Sequence, residues 1–171
     1  MAYNRYYRDQ LYDGAGTKCV FISHQQKDKV VAKAIADYIL KAGIDIYFDE
    51  YDTSIDLNNP YSVVHAIQNG IHRSTHMLCL LSNNAMQSKW MPWEIGYGYD
   101  RTSLCGLTVK ELAKSDLPEY LQIIPILRGT KSLNEFLSKV CNRSESQMLY
   151  ENRMVSAIEP HPLDSYLDWQ R

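Results

Sequence analysis

The sequence predicts an α/β fold with a central parallel sheet and helices on both faces. Three observations carry that expectation. Short unbroken apolar runs recur at KCVFIS (18–23), IDIYF (44–48), HMLCLL (76–81) and LQIIPIL (121–127). Runs of this kind, without alternation, suit strands buried on both faces. Between them lie stretches with apolar residues at i, i+3 and i+4, the pattern of amphipathic helices. The first strand, helix and second strand fit within about 30 residues, the size of a βαβ unit. Alternation of this kind builds a parallel sheet covered on both sides.

Each element follows in order. Residues 1–17 are polar and aromatic, end in the turn cluster DGAGT, and read as an extension. After the first strand, Val30, Val31, Ala34, Ile35, Tyr38 and Ile39 mark a helix that Gly43 stops. The second strand leads into DEYDTSIDLNNP, a polar loop. That loop exceeds the roughly 2–6 residues usual for a βα connection. It reads either as a solvated acidic loop or as a flap over a site. Pro60 opens the next helix, with Val63, Val64, Ile67 and Ile71 on one face. The third strand closes at Ser82-Asn83-Asn84, and a short helix starts near Pro92. Residues 102–119 are ambiguous and hold at most a helix over VKELAKS. A strand over 121–127 and a helix over KSLNEFLSKV follow. The domain reads as 18–142, and 143–171 as a tail with a helix near 146–158.

Composition narrows the function classes. A chain of 171 residues suits one domain with a substantial core. A net charge of −2 provides no basic footprint for nucleic acid. There is no 18-residue apolar run and no signal-peptide pattern, so no membrane partner is expected. Cys19, Cys79, Cys105 and Cys141 lack metal-ligand spacing. They read as reduced thiols, and the expected location is cytoplasmic, with no metal.

In open α/β sheets, ligands bind beyond the carboxyl ends of the strands. Here those ends carry Ser23-His24, Asp49-Glu50 and Ser82-Asn83, and the next loop leads to Glu94. Turns favour such residues anyway, but their convergence on one rim marks a candidate site. In SKWMPWEIGYG (88–98), Glu94 follows Trp90 by four residues and Trp93 by one. A carboxylate in a helix's first turn is favoured by the helix dipole. The residues alone leave Glu94 open between that role and catalysis.

The ordered set VFISH (20–24), IDIYFDE (44–50), IHRS (71–74) and HMLCLLSNNAMQSKWMPWE (76–94) resembles the TIR (Toll/interleukin-1 receptor) domain. Phe21-Ile22-Ser23-His24 match the family's opening strand, Ser82 the end of its third, and Ser88, Trp90 and Glu94 its Ser-Trp-Glu signature. The resemblance covers roughly residues 18–140. It implies a flavodoxin-like three-layer fold. It also implies cleavage of NAD+ at the nicotinamide–ribose bond, with Glu94 catalytic and NAD+ as substrate, so that no separate cofactor is needed. Trp90, Trp93 and Tyr51 would wall the cationic ring. Phe21, Ser23, His24, Asp49, Ser82 and Asn83 complete the expected substrate contacts. Where the family's loop after the second strand usually has a glycine, this chain has Asn58 and Asn59, residues that tolerate positive φ.

The chain holds little beyond this domain. It therefore resembles the standalone TIR proteins of Thoeris-type antiphage systems, which make a cyclic ADP-ribose-type signal for a separate effector. Self-association through TIR–TIR contacts is implied as well. Two other readings compete. One is a non-catalytic TIR adaptor; the other is an enzyme like nucleoside deoxyribosyltransferases, with a glutamate nucleophile on a similar sheet.

Overall fold

The structure is a computed structural model that describes residues 18–48, 55–110, 112 and 117–169. Within them lies a parallel sheet of β1 (Cys19–Ser23), β2 (Asp45–Tyr47), β3 (His76–Leu81), β4 (Ser103–Thr108) and β5 (Ile126–Leu127). The strand order is β2-β1-β3-β4-β5, a flavodoxin-like arrangement. Chain order reverses at β1, which has β2 on one side and β3 on the other. The carboxyl ends of β1 and β3 therefore frame the switch point where such sheets bind ligands.

Strand alternation assigns the two faces. Val20, Ile22, Leu78, Leu80, Ile44, Ile46 and Phe48 point to one side. There α1 (Lys29–Lys41), α5 (Thr130–Cys141) and α6 (Glu145–Tyr150) cover them. Cys19, Phe21, Met77, Cys79 and Leu81 point to the other. There they meet α2 (Pro60–His72) and α4 (Met91–Gly98), with α3 (Asn83–Met86) between β3 and α4. Gly70 permits close packing of α2, because a Cβ there would come within 2.5 Å of the Tyr47 ring and 2.8 Å of Phe21.

The helix boundaries have local causes. Gly43, at φ 89°, ends α1 as expected. Asn59 does not supply a left-handed turn: its φ is −109°, and its side chain accepts from Tyr61 N at the start of α2. Neither Asn58 nor Asn59 has positive φ, so these asparagines do not stand in for the glycine.

Four elements differ from the sequence reading: α3 is a helix where the reading placed only the turn closing the third strand, and β4, β5 and the last helix differ as follows. β4 occupies 103–108, a stretch assigned no strand. Its sequence, SLCGLT, is small and broken by Gly106, but it lies between two partners in register. A Cβ on Gly106 would meet Leu81 at 2.6 Å, so the glycine reflects close packing. β5 is confined to 126–127, because residues 119–121 form a 3-10 turn. The last helix stops at Tyr150 rather than near 158.

Beyond α6 the chain packs as turns into the first core, burying Met154, Leu163 and Leu167. A polar cluster ties it down. Tyr38 Oη donates to Asn134 Oδ1 at 2.8 Å and accepts from Val155 N at 3.0 Å. His161 Nδ1 accepts from Leu163 N at 3.2 Å, so its Nε2 carries the proton and donates to Tyr38 Oη at 2.9 Å. Burial pushes the Tyr38 phenol up to about 12. Burial also lowers the His161 imidazole below its ordinary value, and that of His76 likewise.

A histidine with a depressed folded-state pKa is protonated preferentially in the unfolded chain. Its contribution is complete above the unfolded value of about 6.5 and is lost as pH falls through the folded value. Thermal denaturation from pH 7.5 to pH 5 should therefore show a falling midpoint. His161→Gln should lower the midpoint at pH 7.5 and flatten its dependence on pH.

Candidate functional site

Helix α4 places Glu94 at the switch point. Its inward positions are Met91, Glu94, Ile95 and Gly98, and all four are buried. Glu94 is 9% exposed, a carboxylate where the helical period calls for an apolar side chain. Burying a charge is costly unless hydrogen bonds replace water. Ser23, the last residue of β1, supplies one: its Oγ donates to Glu94 Oε2 at 2.5 Å. Beneath this pair lies Cys79, in register with Ser23 across β1 and β3. Its thiol is pushed well above its ordinary value, by burial first and by the negative charge of Glu94 second. Tyr120 packs against the same core. Burial raises its phenol, with a smaller contribution from Cys79.

The other candidates divide. His24 leaves the rim on the opposite face of the sheet, stacked on Phe48 at 4.7 Å. Asn83 is exposed at the start of α3. Ser82 is buried and committed: its Oγ accepts from Ala85 N at 2.9 Å, capping α3, and donates to Asp28 Oδ2. Phe21 departs from its expected role. It is 3% exposed and stacked on Tyr47 at 5.5 Å, which makes it a core residue under α2. Asp49 and Tyr51 lie outside the described residues, as does most of the acidic loop expected as a flap.

The tryptophans also depart from expectation. Trp90 and Trp93 are 43% and 36% exposed, and with Val64, Gln68 and Lys89 they line an open groove of about 620 Å³ between α2 and α4. Glu94 does not line that groove. The aromatic row continues along α4, with Trp93 stacked on Tyr97 at 5.5 Å and Arg101 over the Tyr97 ring at 4.1 Å. Trp90 and Trp93 thus face outward, with Tyr97 half-buried beside them, while the carboxylate faces in.

Sequence reasoning missed Asp28. It sits at the start of α1, where Asp is ordinarily a cap, yet its side chain makes no cap hydrogen bond there. It is buried and receives Ser82 Oγ and Asn84 Nδ2, the latter at 2.6 Å. One carboxylate thereby joins the start of α1 to the end of β3 across the switch point. The only sequence signal was an acidic residue just ahead of an amphipathic helix. Among the described residues, no group of three or more His, Cys, Asp or Glu side chains is arranged to hold a metal ion.

A family model described as TIR domain matches residues 20–138. The chain belongs to the TIR domain family. A Bacillus cereus (strain MSX-D12) protein named "Probable 3' cyclic ADP-D-ribose synthase ThsB'" is 31% identical over 101 residues, covering 56% of this chain and 48% of that protein. This TIR chain thus matches about half the length of that relative. The TIR-STING receptor of C. gigas, solved in complex with 2',3'-cGAMP, has a TM-score of 0.55 at 22% identity. That match covers 71% of this chain and 38% of the receptor chain, and it speaks for the fold. Among the described residues, no helix of this TIR protein is long and apolar enough to cross a membrane.

Removing the Asp28 carboxylate leaves the Ser82 hydroxyl and the Asn84 amide without their shared acceptor. Asp28→Ala should destabilise the fold by about 1–3 kcal/mol, read from the urea midpoint at unchanged slope.

Proposed function

We propose that this TIR protein cleaves NAD+ at the nicotinamide–ribose bond, with Glu94 as the catalytic carboxylate. The observation that carries the reading is the buried Glu94 carboxylate, held by Ser23 at the switch point of the sheet. In the reaction, the bond between ribose C1′ and the pyridinium nitrogen breaks, and its electron pair neutralises the nicotinamide ring. The ribose becomes oxocarbenium-like, and a nearby anion stabilises that charge as in glycoside cleavage. Ser23 keeps one carboxylate oxygen in place. Water capture of C1′ gives ADP-ribose and releases a proton. Capture by a group within the same molecule gives a cyclic product.

The name of the Bacillus cereus relative favours the cyclic outcome. Such a product would act as a soluble signal to a separate effector in antiphage defence. Self-association belongs to the proposal, since copies that complete one another's sites would couple activity to assembly. A second reading is an adaptor acting by TIR–TIR contacts. It is favoured by the exposed Trp90 and Trp93, with half-buried Tyr97 stacked beside them, a surface rich in the aromatic residues that interfaces prefer.

Concentrated protein incubated with NAD+ should release nicotinamide, detected by mass spectrometry, and the mass and mobility of the companion product should separate cyclase from hydrolase. Glu94→Gln should reduce release at least about a hundredfold at unchanged folding. Equal release from the variant would remove Glu94 from the chemistry, and silence of both proteins would favour the adaptor. Turnover per molecule should rise with protein concentration; a flat response would show a self-sufficient monomer.

A further inference from the structure

The segment leaving β1 grips α4 at two points. Ser23 holds the Glu94 carboxylate at 2.5 Å. Two residues on, the Gln25 side-chain amide donates from Nε2 to Ser88 Oγ at 2.6 Å. Ser88 Oγ accepts from Trp90 N at 3.1 Å and from Met91 N at 3.0 Å. Trp90 O in turn accepts from Glu94 N at 2.9 Å. A path of polar contacts thus starts at Gln25, two residues past β1, crosses the first turn of α4 to the Glu94 backbone and returns through the Glu94 side chain to Ser23 at the end of β1.

Helix α4 has 8 residues, and Trp90 at its N-cap makes no side-chain cap hydrogen bond. The Ser88 hydroxyl supplies that acceptor from two residues upstream. A serine hydroxyl is a free rotor until a neighbour fixes it, and Gln25 is the side chain that touches it. Glu94 lies in the first turn of the helix that Ser88 caps. A change at Ser88 therefore reaches the Glu94 backbone through one peptide unit, and the carboxylate through that residue's own side chain.

We infer that Gln25 is a positioning residue for Glu94, acting through Ser88. The inference rests on the reading of Glu94 as the carboxylate at the reacting ribose. Gln25 is half-buried at the rim and belongs to neither core, so its replacement leaves the packing of both faces intact.

The test uses Gln25→Leu, Ser88→Ala and the double variant. It reads kcat and KM for nicotinamide release, the thermal midpoint, and the pH titration of the Glu94 side-chain carboxyl followed by carbon NMR. Gln25→Leu is expected to lower kcat roughly tenfold with KM nearly unchanged, since small misplacements of a reacting group carry large rate losses. It should also shift the Glu94 titration while the midpoint stays close to that of the parent. In the Ser88→Ala background, Gln25→Leu should add no further loss, the mark of two residues acting along one path.

A parental kcat and Glu94 titration in Gln25→Leu would overturn the inference. So would single-variant losses that multiply in the double variant, or a fallen midpoint with parental kcat. If the parent protein releases no nicotinamide, the catalytic reading falls separately. The Glu94 titration then decides alone: moved by Gln25→Leu, it supports the positioning role; unmoved, it ends it.

Discussion

The hydrogen bond from Ser23 to Glu94 is the constraint around which this half of the molecule is arranged. A carboxylate on the inner side of a short helix has lost most of its water, and the fold must replace what was lost. That requires a donor at the end of β1, a helix whose first turn lies over that strand end, and something to keep the helix start in place. Ser23, α4 and Ser88 meet those requirements. The buried Cys79 beneath them contributes no charge of its own, because burial and the Glu94 charge both favour its neutral thiol.

The two faces of the sheet do different work. One is closed by α1, α5, α6 and the C-terminal turns, which the Tyr38–His161 cluster pins to the core. Within that cluster, Tyr38, Asn134 and His161 satisfy one another. The other face carries α2 and α4, with a buried carboxylate at its rim and aromatic rings on its outer surface. Asp28 joins the start of α1 to the end of β3, so the rim is tied across the switch point. The rim is a frame braced from both sides.

Much of the frame was legible because periodicity reports burial. The strands at 19–23 and 76–81 and the helices from Pro60 and over 130–141 stand where apolar spacing put them. β4 was not legible, since a small strand with a central glycine gains its identity from neighbours on both edges rather than from its own residues. The integration of the C-terminal segment was hidden for a related reason. Leu163 and Leu167 are too sparse to form a pattern, yet each reaches the core. Phe21 was read as a contact from its match to the family's opening strand; it shares a face with Ser23 but lies further back along β1, where it stacks on Tyr47 beneath α2.

By itself, the sequence determined the α/β class, the order of its main elements, the rim where polar strand ends gather, and the Ser-Trp-Glu segment that carries Glu94. These are properties of local pattern and of residues close in the chain. Only the tertiary structure decided which of the clustered residues meet. It turned Glu94 inward and the tryptophans outward, joined Ser23 to a carboxylate 71 positions away, and brought Asp28 to Ser82 across 54. The reason is physical: a helix has one inner face, and which residues occupy it depends on how the helix is rotated against the sheet, a choice settled by the packing of both cores rather than by any single stretch of chain.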